Sequence, residues 1–371
     1  MAQSRRVGFD SECAYAVGWV GIAYKKGHPM LVRELGCFGA GAAAALVVII
    51  FTVVSSPSGA ATTSYSSPLP TAQPPSPPKS DASPITSIPV PMPASNTSRS
   101  NATSAVAVAP CPEKVPADMV CVPGGPFLRG IDVERAKKLG PQHFRATPQS
   151  TVSVSTFLLD RTEVTVDAWR KCEAAGPCRK GAGPSYQDFD APKQPIAGVS
   201  WFDARTFCIA QDKRLPTEAE WEKAVRGTDG RMFPWGDEPA TCERAVYKNE
   251  FGRSCGIKQK SKTHADVGRP DPVASRPADP IGTYDLAGNS WEWVNDWFSP
   301  SWKACGAACE GMNPQGPCGG KEICPGHTER VVRGGSWYWP ADHMATWFRR
   351  PHLPANTPVF HHFGFRCARS L

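Results

Sequence analysis

The sequence predicts a loop-rich α+β domain that is stapled by disulfide bonds and preceded by a transmembrane helix and a disordered linker. Twelve of the fourteen cysteines lie after residue 110, and an even number of cysteines outside the cytoplasm indicates a disulfide framework. The same part of the chain shows no βαβ alternation and no phosphate-binding loop, which disfavours a doubly wound sheet or a barrel. After Gly227 the regular periodicity fades into short runs separated by Gly, Pro and Trp.

Zinc is the alternative to disulfides for the last closely spaced group of cysteines. Zinc motifs commonly begin with pairs of cysteines two to four residues apart. The spacing of this group matches no usual zinc finger, so we favour disulfides for Cys305, Cys309, Cys318 and Cys324.

The N-terminal region contains a candidate transmembrane helix at 35–54, an uncharged apolar run that is long enough to cross a bilayer once. Several Lys and Arg residues precede the run, and the next basic residue is Lys79. This asymmetry places residues 1–34 in the cytoplasm and the rest of the chain on the periplasmic or extracellular side. A cleaved signal peptide ending near Gly59–Ala61 is the alternative, but its leader would be long for that class. We therefore predict a signal-anchor that attaches the protein to a membrane.

Residues 55–110 consist mainly of Pro, Ser, Thr and Ala with almost no charge. Such a segment cannot bury enough apolar surface to offset its chain entropy, so we predict a disordered linker followed by an extracytoplasmic domain at 111–371. The formal net charge of +7 is spread along the chain, and no run of Lys and Arg interleaves with aromatic residues. Composition therefore disfavours nucleic-acid binding.

Local signals in the domain predict one strand and three helices. Strict alternation of Val152, Val154, Thr156 and Leu158 predicts the strand. Each helix begins at a Ser or Thr that can cap free backbone N–H groups. The predicted helices are 166–175, capped by Thr165 and ended by Gly176; a helix after Ser200 with Trp201, Ala204 and Cys208 on one face; and a helix after Thr217 with Trp221, Ala224 and Val225 buried before Gly227.

The glutamates of the third helix resemble catalytic carboxylates only superficially. Thr217 and Glu220 have the spacing of a capping box. Acidic groups in a first helical turn also stabilise the macrodipole. We therefore interpret these glutamates as structural.

The segment 330–347 combines a Gly-Gly pair with a dense group of aromatic residues. Glycines allow backbone approaches that a Cβ would block. The aromatic side chains that follow form either the wall of a pocket or part of the core, since aromatic residues dominate burial wherever they occur.

Eight blocks of sequence occur in a fixed order and cover nearly all of 119–368. The blocks are MVCVPGGPFLRG (119–130), FLLDRTEVTVDAW (157–169), PIAGVSWFDARTFC (195–208), KRLPTEAEWEKAVRG (213–227), FPWGDE (233–238), GTYDLAGNSWEWVNDW (282–297), RVVRGGSW (330–337) and HFGFRCA (362–368). Together they resemble the formylglycine-generating enzyme, or sulfatase-modifying factor, family. That resemblance implies a variant of the C-type lectin fold that is poor in regular structure. Founding members of the family oxidise a sulfatase cysteine to formylglycine with copper and O₂.

The resemblance places the two copper-binding cysteines of the founding enzymes at Trp339 and Met344. No cysteine lies between Cys324 and Cys367. Copper(I) is a soft ion that thiolates hold well, and one thioether does not replace two thiolates. We therefore predict that the copper oxidase site is missing and that copper is not a cofactor. The resemblance also implies that Cys367 is bonded to Cys208.

A structural calcium loop of the family matches this chain at Asp285 and Glu292, which would supply carboxylates, and at Gly288 and Ser290, which would supply carbonyls. Oxygen ligands of this mixture suit a hard cation. A plain turn is the alternative, because Asp, Gly and Asn all favour turns. A second calcium site of the family is predicted to be lost, since Val246 stands where an Asn ligand is expected.

Other catalytic centres are disfavoured. Adjacent histidines on an extended strand diverge, so His361 and His362 do not readily join His343 around one metal. A nucleophilic role for Ser336 lacks an identifiable base.

Two functions follow from these observations. The first is a non-catalytic recognition domain for a peptide, glycan or envelope protein, held on a tether from the membrane. The second is a formylglycine-generating or related oxidative enzyme that acts on a protein cysteine or small thiol, which rests on analogy of fold. Assembly into an envelope complex through loops 256–280 is a third. The predicted binding residues are Trp291, Ser336, Trp337, Trp339, Met344 and Trp347.

Overall fold

The computed structural model describes residues 21–25, 28–32, 108–183, 187–256 and 268–371. The chain divides into two compact units, Met1–Asn96 and Thr97–Leu371. In the first unit, β1 (Gly21–Lys25) pairs with β2 (His28–Val32) in an antiparallel hairpin. None of the helices in the described residues is long and apolar enough to span a bilayer. The predicted helix at 35–54 and most of the predicted linker lie outside the described residues.

The second unit contains short strands and helices joined by long loops, as the predicted α+β class requires. Its strands are β3 (Met119–Val122), β4 (Gly125–Arg129), β5 (Ser150–Val154), β6 (Phe157–Asp160), β7 (Trp291–Trp297), β8 (Arg330–Arg333), β9 (Arg350–His352), β10 (Phe363–Gly364) and β11 (Ala368–Ser370). Its helices are α1 (Val133–Leu139), α2 (Val166–Ala175), α3 (Trp201–Ala210), α4 (Glu218–Arg226), α5 (Arg253–Gly256) and α6 (Trp302–Cys305). Additional 3₁₀ turns include Pro141–Ala146 and Ala341–Met344.

The strands form three small sheets rather than one large one. A four-stranded sheet has the order β10-β7-β8-β9, with β10 parallel to β7 and the other pairs antiparallel. A three-stranded antiparallel sheet has the order β11-β6-β3, and β4 pairs with β5. The first sheet contains β7, which the predicted calcium loop enters, and β8, which leads into the Gly-Gly segment.

The predicted single strand from Val152 to Leu158 is wrong in one respect. The chain leaves β5 after Val154 and enters β6 at Phe157, so the two halves belong to different sheets. Thr156 lies between them and is buried, where its hydroxyl accepts a hydrogen bond from the Gly124 N–H. The four alternating residues are all buried, as predicted. The strand is interrupted at Thr156, whose hydroxyl bonds to the loop that contains Gly124.

The three predicted helices are confirmed with their boundaries. Thr165 caps α2, and Gly176 ends it in the left-handed region at φ 103°. Ser200 and Thr217 form capping boxes at the starts of α3 and α4. In the second box the Glu220 carboxylate accepts from the Thr217 N–H at 2.8 Å, as the spacing predicts. These signals are local, so the sequence alone contains them.

All cysteines from Cys111 to Cys367 are joined in disulfides. Cys208 and Cys367 are bonded over a separation of 159 residues, which is the pair that the family resemblance implies. The four cysteines weighed as zinc ligands instead form two short-range disulfides, so the structure does not support zinc there. The remaining pairs are Cys111–Cys121, Cys172–Cys178, Cys242–Cys255, Cys305–Cys309 and Cys318–Cys324.

Two glutamates of α4 form a buried ion-pair network rather than serving the helix terminus. Glu218 accepts from Arg333 at 2.6 Å and from Arg349 at 2.7 and 2.8 Å. Glu222 accepts from Arg333 at 2.9 Å and from Arg226 at 3.0 Å. Burial alone would raise the pKa of Glu218, but the charges of Arg349 and Arg333 hold that pKa below its ordinary value. The structural interpretation of these residues stands, but neither Glu218 nor Glu222 serves the backbone donors at the start of α4. Glu222 instead accepts from the backbone N–H of Gly130 at 2.7 Å.

Asp296, on β7, is a buried acid next to this network. Its Oδ2 accepts from the Glu218 backbone N–H at 2.7 Å. Burial, and after it the charge of Glu218, raise the pKa of Asp296 from an ordinary 3.8 to about 8. Because the pKa is raised in the folded state, protonated Asp296 contributes stability that is complete below pH 3.8 and is lost as the pH rises through about 8.

We expect Asp296→Asn to flatten the alkaline side of the pH–stability profile. An amide resembles the protonated acid in shape and keeps an acceptor for the Glu218 N–H, but it has no proton to lose. Thermal unfolding followed by circular dichroism should show the midpoint of the parent falling by several degrees more than that of the variant between about pH 6 and pH 9. Equal slopes for the two proteins would show that Asp296 does not carry this proton.

Candidate functional site

The Gly-Gly pair after β8 allows the chain to pack where side chains could not. Gly334 and Gly335 have φ values of 92° and 75°, in the left-handed region that favours glycine. A Cβ on Gly335 would lie 2.7 Å from the Met344 Cγ. A Cβ on Gly334 would lie 3.2 Å from both the Leu286 carbonyl oxygen and the Trp221 ring. The pair therefore lets the following loop fold back tightly on itself.

Met344 occupies the inner of the two positions that the resemblance assigns to copper ligands. Its side chain is fully buried and packs in an apolar cluster with Phe233, Tyr247 and Ala287. The Cys242–Cys255 disulfide borders the same cluster. The thioether is therefore part of the hydrophobic core, where contact with Gly335 fixes its position.

Trp339 occupies the outer of the two positions and is only partly buried. Its ring stacks on His343, with centroids 4.8 Å apart and planes inclined by 21°. The Arg350 guanidinium lies 4.6 Å from the Trp339 ring centroid, within cation–π distance. At this position, which the resemblance assigns to a copper ligand, the indole lies between an imidazole and a guanidinium.

The other predicted binding residues lie inside the protein. Trp291, Trp337 and Trp347 are fully buried, and so are Ser336 and Met344. The buried indoles pack in the core, which is one of the two interpretations that the sequence allowed for these aromatic residues. Trp339 is the one member of the predicted set that borders solvent.

An open cleft of about 510 Å³ lies beside this segment. The cleft is lined by the 3₁₀ turn Pro141–Ala146 on one side and by residues from the C-terminal segment on the other. Phe348 forms part of its floor, and its ring lies 4.6 Å from that of His343. The lining residues are Gln142, Arg145, His343, Phe348, Arg350 and Pro351.

The cleft is electrostatically positive. Burial, and next the charge of Arg145, lower the pKa of Arg350. Burial also lowers the pKa of Arg145, although the nearby charge of Glu329 opposes that shift. His343 Nδ1 lies 2.9 Å from the Asp342 carboxylate, which is paired with that ring and does not line the cleft. An anion in the cleft would therefore relieve unfavourable burial of positive charge.

The predicted calcium loop leads into β7 and lies near a further buried acid that the sequence analysis did not single out. Asp285 accepts from the Ala274 N–H at 2.7 Å, and burial raises the pKa of Asp285 to about 6. Glu163 is buried and accepts from the Ser290 N–H at 3.0 Å. Burial, then the charges of Asp285 and Glu292, raise the pKa of Glu163 well above its ordinary value. Three carboxylates thus share a small buried volume.

Glu292 in this loop already has strong partners. Arg366 donates to both of its oxygens, at 2.7 and 2.8 Å, and Trp221 donates to one of them at 2.8 Å. Arg366 acts on all three carboxylates and Arg276 acts on Asp285, so two guanidinium groups face three carboxylates. Carboxylate oxygens with a surplus of negative charge, together with loop carbonyls, are a donor set that fits a hard divalent cation.

The predicted loop does not contain a metal site made of side chains alone. Among the described residues, no group of three or more His, Cys, Asp or Glu side chains is arranged to hold a metal ion. A cation in this loop would therefore also need the predicted carbonyls of Gly288 and Ser290. At the second family site, the Val246 carbonyl accepts from the Asn289 N–H at 2.8 Å, and Gly288 packs against the same residue.

The remaining candidates are placed as follows. The rings of His361 and His362 are 5.7 Å apart and inclined by 82°, which agrees with divergent neighbours on an extended chain. His362 is buried, and burial lowers its pKa well below the ordinary value. Ser336 is fully buried, and its Oγ accepts from the Tyr338 N–H at 3.4 Å. A role as a solvent-facing nucleophile therefore finds no support.

Comparison with known proteins identifies the family. Residues 105–371 match the family described as the sulfatase-modifying factor enzyme 1-like domain. The chain is 29% identical over 308 residues to the formylglycine-generating enzyme of Thermomonospora curvata, which covers 69% of this chain and 95% of that protein. The enzyme of Bos taurus is 30% identical over 303 residues, which covers 68% of this chain and 75% of that protein. The inactive C-alpha-formylglycine-generating enzyme 2 of Mus musculus is 28% identical over 298 residues, covering 68% and 85%.

A solved structure shares the fold. PvdO from Pseudomonas aeruginosa superimposes with a TM-score of 0.50 and 24% identity, covering 68% of this chain and 94% of that chain. The family match covers well over half of the sequence and includes both the calcium loop and the Gly-Gly segment. The chain belongs to the sulfatase-modifying factor, or formylglycine-generating enzyme, family.

Proposed function

We propose that this protein is a non-catalytic member of its family that recognises a peptide, glycan or envelope protein outside the cytoplasm. The observation that carries the proposal is the pair Trp339 and Met344 at the positions of the copper ligands. Every cysteine from residue 111 onward is in a disulfide, so no described thiol is free to replace them. Copper(I) chemistry of the family type needs two thiolates, and an indole is not a ligand of that kind.

The burial of Met344 supports the same conclusion. A catalytic copper ion must contact O₂ and a substrate thiol, whereas the Met344 side chain is fully buried and covered by Gly335. Recruitment of its sulfur would require the loop to open. The Mus musculus relative whose name describes it as inactive is a precedent for a family member without the oxidase activity.

The positive cleft beside Trp339 supports a recognition role. It has a volume within the usual range for ligand sites, about 300–1,000 Å³. Partly exposed aromatic and cationic groups can bind rings, carboxylates or both. We further propose that the domain has the lectin-type variant of the α+β fold that the family resemblance implies.

The membrane attachment through 35–54 and the extracytoplasmic location remain part of the proposal. Disulfides persist in oxidising compartments, and the six pairs here support a periplasmic or extracellular location for 111–371. The linker at 55–110 would then hold the recognition domain away from the membrane surface.

An oxidative enzyme is the second candidate. The observation that favours it is the 29–30% identity to formylglycine-generating enzymes of two distant organisms. Copper binding separates the two candidates, because the oxidase requires the metal and the recognition domain does not.

Arrays of peptides and glycans probed with the purified protein should test recognition. We expect saturable binding to one class of ligand, and its loss in Trp339→Ala, because this indole is the predicted binding residue that reaches solvent. Trp235→Ala is the matched control, since Trp235 is also a partly buried indole but stacks on Phe233, whereas Trp339 contacts the cleft residues His343 and Arg350. Absence of any saturable ligand, or equal loss in both variants, would argue against recognition at this site.

We also propose a structural calcium ion held by Asp285, Glu292 and the carbonyls of Gly288 and Ser290. Calcium should raise the unfolding midpoint of chelator-treated protein, because it neutralises clustered carboxylates. At a free concentration 100 times Kd the stabilisation would be about 2.7 kcal/mol.

Calorimetry of two Asp→Asn variants should separate ligand loss from general effects. Asp285→Asn is expected to abolish the calcium-induced shift, whereas Asp296→Asn, at another buried acid, should retain it. Magnesium should be a poor substitute, because it requires near-octahedral geometry and dehydrates reluctantly. A full calcium shift in Asp285→Asn, or none in the parent, would refute the assignment.

A further inference from the structure

We propose that the cleft between the Pro141–Ala146 turn and the Trp339–Pro351 segment binds the carboxylate of an acidic peptide through Arg145 and Arg350. The inference rests on the proposed recognition function and specifies the ligand class.

Arg350 is a partly buried cation with no carboxylate partner among the described residues. Its Nε is buried and has no hydrogen-bond partner there. The neighbouring Arg349 differs sharply, because its guanidinium is paired bidentately with Glu218 at 2.7 and 2.8 Å. The protein therefore satisfies one of two adjacent arginines internally and leaves the other facing the cleft.

Arg145 adds a second positive charge on the opposite side. It lines the cleft, and no carboxylate in the described part of the chain lies within 4.0 Å of its side-chain nitrogens. Glu329 is near enough to favour its charged form, but not to form an ion pair. No carboxylate is present among the six residues that line the cleft. A bound anion would thus meet two cations whose charges are otherwise poorly compensated.

The aromatic surroundings orient the Arg350 guanidinium. It lies over Trp339 at 4.6 Å and more distantly over Trp291 at 5.8 Å. A guanidinium held beside aromatic rings keeps its planar N–H fork, which can pair bidentately with a carboxylate. Ordering this side chain in advance reduces the entropy that binding must offset.

The balance of donors and acceptors favours a peptide over a sugar. The hydroxyl groups of a glycan donate as well as accept hydrogen bonds, whereas a carboxylate only accepts them. The lining side chains of the cleft are richer in donors, from Arg145, Arg350 and Gln142, than in acceptors, and they include no carboxylate. An acidic side chain accepts only, and the apolar surfaces of Phe348 and Pro351 suit its methylenes and the adjoining backbone.

Isothermal titration with three probes tests the ligand class. The probes are acetyl-Gly-Glu-Gly-Glu-Gly-amide, its Gln counterpart and an oligogalacturonate, each titrated into the full chain. We expect the Glu peptide to bind at least about 10-fold more tightly than the Gln peptide, because charge-assisted hydrogen bonds are lost with the carboxylate. Its affinity should fall as the salt concentration rises. Equal affinity for the two peptides, no binding of the Glu peptide, or preference for the oligogalacturonate would overturn the proposal.

Three arginine variants test the residues. Arg145→Gln removes a charge at the rim, and Arg350→Lys keeps the charge but loses the planar fork. Each should weaken binding of the Glu peptide by about 10-fold or more with an unchanged unfolding midpoint. Arg205→Gln is the control, because Arg205 is a partly exposed arginine on α3 whose ion-pair partner is Glu322. Unaltered binding in the first two variants would refute the site.

The outcome separates this inference from the broader function. If a ligand found on the arrays binds equally well to the Arg145 and Arg350 variants, the recognition function is retained and the proposal of a carboxylate-binding cleft is rejected. If Arg350→Lys proves unstable, Arg145→Gln decides alone, since the Arg145 side chain is not held by an ion pair in the described structure.

Discussion

The buried pairing of Arg333 with Glu218 and Glu222 is the constraint on which the rest of the domain depends. All three side chains are almost fully inaccessible to solvent, so each charge must be matched within the protein. Removing one partner from such a network typically costs about 3–5 kcal/mol, because it leaves an uncompensated buried charge. The network joins helix α4 to strand β8, and β8 delivers the Gly-Gly pair to its position. The position of the Gly-Gly pair therefore depends on a buried ion-pair network. In the sequence, the glutamates of this network look like ordinary helical glutamates.

That rigid framework explains how the site can change its chemistry without losing its shape. The loop after Gly335 is fixed by glycine geometry and by β8, and neither depends on a metal. Met344 fills the inner position with a flexible apolar side chain, which suits an irregular gap in a core. Trp339 fills the outer position and provides a surface on which His343 and Arg350 are ordered. Under the proposed function, the scaffold that the founding enzymes use for oxidation presents stacked, cationic groups in this chain.

Sequence reasoning succeeded where the determining contacts are local. The caps at Thr165, Ser200 and Thr217 fix three helices, because each side chain bonds to a backbone group three residues away. It failed for Glu218 and Glu222, whose shared partner Arg333 is more than 100 residues distant in the chain. The interruption of the predicted strand at Thr156 has a similar cause. Alternation of residues predicts which side chains are buried, but it does not predict to which sheet each half of the segment belongs.

The candidate site was also predictable only where the sequence contains a local pattern. The family blocks predict the copper positions and the calcium loop, and both remain predictions. The blocks contained no sign that Trp337 and Trp347 would be buried while Trp339 is not. Glu163 lies in a matched block without any local pattern to connect it with Asp285. The sequence did not predict the cleft, because Arg145 and Arg350 are far apart in the chain and line the same cleft only after folding.

Copper(I) stoichiometry tests the central claim most directly. An anaerobic competition titration of the purified chain should give no stoichiometric copper, whereas the double variant Trp339→Cys with Met344→Cys should bind one ion per chain by restoring both thiolates. If the parent instead binds one copper(I) tightly and converts the cysteine of a sulfatase peptide to an aldehyde with O₂, the account of a lost oxidase site is contradicted.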